Sequence, residues 1–125
     1  MILRGLDVVF RHIQRRETVA WYRDVLGLDL LRDDGHWAEF AASDAVRFAL
    51  DRPEGAQSEV ERQAVVLSFR VEDIQEAVET LQSRGVRFFE GCAGIVRDVG
   101  PSLVATFEDP EGHWLQLSQR KAGES

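Results

Sequence analysis

Leu6, Val8 and Phe10 alternate with Asp7, Val9 and Arg11, the period-two pattern of a strand with two unlike faces. Beyond it, Val19, Tyr22, Val25 and Leu26 recur at spacings of three and four, which predicts a helix from about Arg16 to Val25. Gly27 ends it, since glycine reaches left-handed angles freely. The helix start is poorly specified: Arg15 and Arg16 oppose the positive end of the helix dipole, and no Ser, Thr, Asp or Asn stands clearly at the cap. Strands are expected at about Asp29 to Arg32, Trp37 to Ala41 and Val46 to Asp51. The turn-like runs Asp33-Asp34-Gly35 and Ala42-Ser43-Asp44 part them, and Pro53 to Glu59 reads as a polar linker.

The same order then recurs. Phe10-Arg11 and Phe69-Arg70 stand 59 positions apart (69 − 10), an offset that also carries Glu17 onto Glu76 and Val19 onto Val78. Asp73 with Glu76 three residues on forms a capping-box start, Ile74, Ala77, Val78 and Leu81 make the stripe, and Gly85 is the stop. Strands are expected at about Arg87 to Glu90, Val96 to Val99, Leu103 to Phe107 and Trp114 to Ser118. Asp109-Pro110-Glu111-Gly112 is a strong turn between the last two.

The expected fold is therefore α+β: two tandem βαβββ modules whose curved mixed sheets enclose a cleft, with the helices outside. Module one spans about 5–52, the linker 53–62, module two 63–118, and 119–125 is a polar tail expected to fray. The chain's 125 residues suit one domain rather than two independent ones.

The run Ala20-Trp21-Tyr22-Arg23-Asp24-Val25-Leu26-Gly27-Leu28 resembles the first-helix signature of the vicinal oxygen chelate superfamily of glyoxalases, extradiol dioxygenases and bleomycin-resistance proteins. Phe107 to Leu117, with its Asp-Pro-Glu-Gly-His-Trp core, resembles that superfamily's closing hairpin. The resemblance covers about residues 5–118 and implies the fold just described. It does not choose among the superfamily's activities, which include lyases, isomerases, dioxygenases, thiol transferases and non-catalytic antibiotic-sequestering proteins.

Catalytic members hold a divalent metal with His or Glu side chains on the first and last strand of each module. By resemblance those positions fall on Asp7, Ala49, Val66 and Gln116. A carboxylate, a methyl, an isopropyl and a neutral amide are a poor donor set for zinc, nickel, manganese or iron, so no metal and no cofactor is expected. His12, His36 and His113 read as surface or turn residues.

If Asp7 faces the cleft, alternation sends Arg11 there too, together with Val66, Ser68 and Arg70, then Trp37 and Glu39, Ala49 and Asp51, and Trp114 and Gln116. Tryptophan faces suit flat ligands, and Asp7, Glu39 and Asp51 suit cations. The bland alternatives stay open: Arg11, Arg47 and Arg70 pair with those acids, and Trp37 and Trp114 are plain core.

Charge narrows the partners. Fifteen basic against 22 acidic residues give a net charge of −7, which disfavours nucleic acid. No run approaches the roughly 18–20 apolar residues of a membrane span and no leader pattern opens the chain, so a cytoplasmic protein is expected. Cys92 has no internal disulfide partner. The first reading is a metal-free homodimer of bleomycin-resistance type that binds an aromatic or cationic small molecule. The alternative is a glyoxalase-like lyase or isomerase with Asp7 or Glu39 as general base.

Overall fold

A computed structural model describes residues 7–52 and 65–121. The expected linker 53–62 and the tail beyond Lys121 lie outside the described residues. The chain divides into two compact units, Met1–Val60 and Glu61–Ser125.

In unit one, β1 (Val8–His12), α1 (Glu17–Asp24), β2 (Asp29–Asp33), β3 (Trp37–Ala41) and β4 (Arg47–Asp51) follow in the expected order. The sheet order is β1-β4-β3-β2, with β1 parallel to β4 and the other pairs antiparallel. The apolar stripe of α1 explains the packing: Tyr22 is fully buried, and its ring lies 5.2 Å from Phe48 and 6.2 Å from Phe40. Ala38 and Leu50 are buried on the same sheet face. Gly27 does stop the helix, at φ 78°. As the dipole argument anticipates, α1 has no side-chain cap. Arg16 at its N-cap instead forms a two-pronged ion pair with Asp33, at 3.0 and 3.1 Å.

Unit two repeats the plan with β5 (Leu67–Arg70), α2 (Ile74–Ser83), β6 (Arg97–Asp98), β7 (Ser102–Glu108) and β8 (Trp114–Arg120), in the order β5-β8-β7-β6. Asp73 caps α2 by accepting from the Glu76 N–H at 3.1 Å, and Ile74, Val78 and Leu81 bury the stripe. The helix packs on β7 and β8, over Ala105, Phe107, Leu115 and Leu117. The fold is α+β with two tandem modules, each a four-stranded mixed sheet and one helix.

Two boundaries differ from expectation. The segment Arg87 to Glu90 is not a regular strand; only Phe88 bridges to Phe107, and Gly91 bridges to Gly94 just after it. The turn before β3 and the turn before β7 explain why. Asp33 and Asp98 do the same job 65 positions apart (98 − 33), whereas Gly27 and Gly85 are 58 apart (85 − 27). Seven extra residues therefore lie between the α2 stop and the edge strand, and the chain spends them in a loop. At the other end, β8 runs two residues into the stretch expected as tail. Gln119 accepts the first α2 amide, that of Ile74, at 2.8 Å, so a polar side chain there holds the helix start.

Candidate functional site

Each sheet has one face under its own helix and a far face turned from it. In β-ladders, residues opposite one another point the same way, so the registers assign the faces. In unit one, Phe10, Ala49 and Glu39 form one far-face row, and His12, Asp51 and Trp37 the next. In unit two, Ser68, Gln116 and Thr106 form one row, and Arg70, Ser118 and Val104 another.

Unit two thus holds Ser68, Arg70 and Gln116 on one face as expected, and Trp114 opposite Glu108 joins them. In unit one, Trp37, Glu39, Ala49 and Asp51 share the far face. Arg11 does not: it pairs with Leu50, on the helix side. Alternation from Asp7 gives the wrong phase because Asp7 precedes β1. Its backbone oxygen accepts from Arg47 N at 3.1 Å, and its carboxylate turns to the Arg47 guanidinium at 2.8 Å, so it reaches the far face without sharing the strand's phase. Phe10 and His12 stand on the far face, where alternation from Asp7 puts Arg11.

The strands carrying Phe10 and Trp37 flank β4, and the two rings meet with centroids 5.2 Å apart at 52°. Ala49 lies between those strands and has no exposed surface. A methyl is short enough to let the rings close above it. Phe10 stays half exposed, so the pair is open on the phenyl side.

Charges surround this pair. Glu39 accepts from the Trp37 indole N–H at 3.1 Å and from Arg47 at 3.2 Å, and Arg47 also holds Asp7. The Asp7 hydrogen bond, with the neighbouring negative charges, raises the Arg47 pKa further above its ordinary value. Asp51 stands 3.1 Å from His12 Nδ1. Of the arginines left open, Arg47 is paired with acids on this face.

Unit two's far face sets hydroxyls and an amide among the charges of Arg70, Arg97, Glu108 and Arg120. Ser68 donates to the Gln116 amide oxygen at 3.0 Å, and Trp114 meets Phe89 edge-on at 5.5 Å. His113, expected in a surface turn, is buried: Asp109 accepts from the Glu111 and His113 backbone amides, and its other oxygen lies 2.8 Å from His113 Nδ1. This lock holds the β7–β8 turn together.

The positions at which relatives hold a metal do not fit one here. The Asp7 carboxylate is engaged by Arg47, Ala49 and Val66 offer hydrocarbon, and the Gln116 oxygen holds Ser68. Among the described residues, no group of three or more His, Cys, Asp or Glu is gathered closely enough to bind a metal ion. No described helix is long and apolar enough to cross a membrane.

Solved structures share this fold. TnmS3, an antibiotic-binding protein from Streptomyces sp. CB03234, superposes with a TM-score of 0.75 at 22% identity, covering 97% of this chain and 99% of that one. A glyoxalase/bleomycin resistance protein/dioxygenase from Nocardioides gives 0.75 at 18% identity, covering 98% and 87%. A glyoxalase family protein from Enterococcus faecalis gives 0.69 at 20% identity, covering 94% and 99%. Among curated proteins, none matches significantly. The sequence profile of one family matches residues 10–117, nearly the whole span of both modules, and the chain belongs to that family, the glyoxalase/bleomycin resistance protein/dioxygenase superfamily.

Proposed function

We propose that the chain binds an aromatic or cationic small molecule on the far face of unit one, without metal chemistry. The observation that carries this reading is the Phe10–Trp37 pair, its phenyl ring half exposed, above Ala49, at a position where relatives place a metal ligand. A chelating side chain has given way to a methyl, and two ring faces occupy the space. Aromatic surfaces beside carboxylates attract flat and cationic molecules. The naming of TnmS3 as an antibiotic-binding protein is in keeping with such a role.

The alternative, a lyase or isomerase with Asp7 or Glu39 as base, has less support. Both Glu39 oxygens already accept hydrogen bonds, and Asp7 is tied to Arg47. A general base needs an acceptor free for its substrate.

Titration of a panel of aromatic cations and neutral aromatics, followed by tryptophan fluorescence and calorimetry, tests the reading. At least one member should bind. Trp37→Ala should weaken that binding roughly tenfold, about 1.4 kcal/mol, the scale of a lost ring–ligand contact. Purified protein carrying a stoichiometric transition metal, or turning over an aldehyde–thiol adduct, would overturn it.

A further inference from the structure

Phe10 and His12 were absent from the expected site, and the register brings both to it. Resting on the binding role proposed above, we infer that Phe10, Trp37, His12 and Asp51 form a subsite for a monocationic aromatic ligand, and that taking up this ligand expels a proton from His12.

The charge distribution on this face carries the inference. Asp7 and Glu39 share a permanent counter-ion, the Arg47 guanidinium that bridges them. Asp51 has no such guanidinium among the described residues. Among the described residues, the group at ion-pair distance from its carboxylate is the His12 imidazole, 3.1 Å away, which is charged only when protonated. The other titratable or charged groups on this face are Arg47 on β4, Glu39 on β3, Asp29 and Arg32 on β2, and Asp7 ahead of β1. His36, in the β2–β3 turn, is occupied at Nδ1 by the Arg52 carbonyl.

Two states follow. With His12 protonated, Asp51 is neutralised and an incoming cation meets imidazolium beside its seat. With His12 neutral, Asp51 carries uncompensated charge next to two aromatic rings, an arrangement that favours a cation resting on ring faces. Phe10 supports both roles, since its ring meets Trp37 at 5.2 Å and His12 edge-on at 6.1 Å. The balance is one for one: a ligand cation enters, a proton leaves the imidazole nitrogen, and the net charge of the face is unchanged. A neutral aromatic molecule gains ring contact alone and drives no proton release.

Benzyltrimethylammonium is a suitable probe, because it has a ring, a fixed positive charge and no titratable proton of its own. Calorimetry in pairs of buffers with different ionisation heats, from about pH 5.5 to 8.5, counts protons released on binding. Release should be present at the acid end and vanish at the alkaline end, while affinity rises at least roughly threefold across the range. His12→Gln should bind without proton release and with a flat pH profile. Asp51→Asn should lose the pH dependence together with the alkaline affinity. His36→Gln should behave as the unaltered chain.

All these side chains are at least partly exposed, and the ring proton signals of the unaltered protein give a measurement that needs no variant. At the acid end, the probe should move the His12 signal toward its neutral position. Probe binding without proton release, or release that persists in His12→Gln, overturns the inference and leaves the binding role standing. Binding of neutral aromatics but not of the cation does the same. Failure of every aromatic compound to bind overturns both.

Discussion

The two units share a scaffold and differ in what they carry on it. Both place a parallel strand pair inside a four-stranded sheet, β1 with β4 and β5 with β8, and both bury an apolar helix stripe. The far face of unit one has four carboxylates, two guanidiniums, an imidazole and a Phe–Trp pair. That of unit two sets hydroxyls and an amide among three arginines and Glu108, with Trp114 at its margin. The scaffold needs only apolar residues on the helix side, so the far-side residues are free to diverge.

Substitutions in the shared scaffold should give the largest effects. Phe48→Ala in unit one and Phe107→Ala in unit two each remove a buried ring from beneath a helix or its neighbours, and each should lower stability by about 3–5 kcal/mol in denaturant unfolding. A much smaller loss in either unit would mean that its helix and sheet do not share a packed core.

A device present in unit two alone comes next. Asp109 is fully buried at its side chain and serves two backbone amides as well as His113. Asp109→Ala strands those donors and should cost about 2–3 kcal/mol, read as a lowered unfolding midpoint. The corresponding β3–β4 turn, where Ala42 and Ser43 amides bond to the Val46 carbonyl, works through backbone alone and should tolerate Ser43→Ala and Asp44→Ala.

The helix starts also differ, and here the text of the chain was legible. Asp73 with Glu76 announced the α2 cap, and Arg15-Arg16 announced the lack of one on α1. Asp73→Ala should cost about 1 kcal/mol. Arg16→Ser exchanges an exposed ion pair for a cap and should change little.

Strand periodicity gave β3 to the residue and β4 within one, because a half-buried strand must alternate. It failed where no local pattern decides the answer. The phase of β1 depends on its register with β4, a pairing made 39 positions away (49 − 10), so sequence alternation puts Arg11 where Phe10 and His12 stand. The loop over 87–96 is a length effect: the residues look strand-like, and only their surplus over unit one forbids it. The missing chelating side chains were readable because a methyl cannot ligate in any geometry. The His12–Asp51 pair was not readable, because nothing in sequence spacing sets two side chains on adjacent parallel strands opposite one another.

The smallest effects belong to a feature the units share. Asp33 accepts from the Gly35 amide and Asp98 from the Gly100 amide, each at 2.9 Å, so the turn before β3 and the turn before β7 are built alike. Their cations differ. The Arg16 hydrogen bonds, then the Gly35 amide, lower the Asp33 pKa, whereas Lys121, then the Gly100 amide, lowers that of Asp98. A carboxylate whose pKa is depressed by folding adds stability above its unfolded value, and that contribution is lost as pH falls through the folded value. Asparagine keeps the oxygen that accepts the glycine amide and removes only the charge. Asp33→Asn and Asp98→Asn should therefore leave the turns intact and flatten the acid limb of the stability–pH curve. Added salt should shrink the Asp98 effect more, since Asp98 is the more exposed of the two side chains and exposed charges are screened first. Equal salt sensitivity at the two sites would show that the Arg16 fork adds nothing beyond a single surface charge.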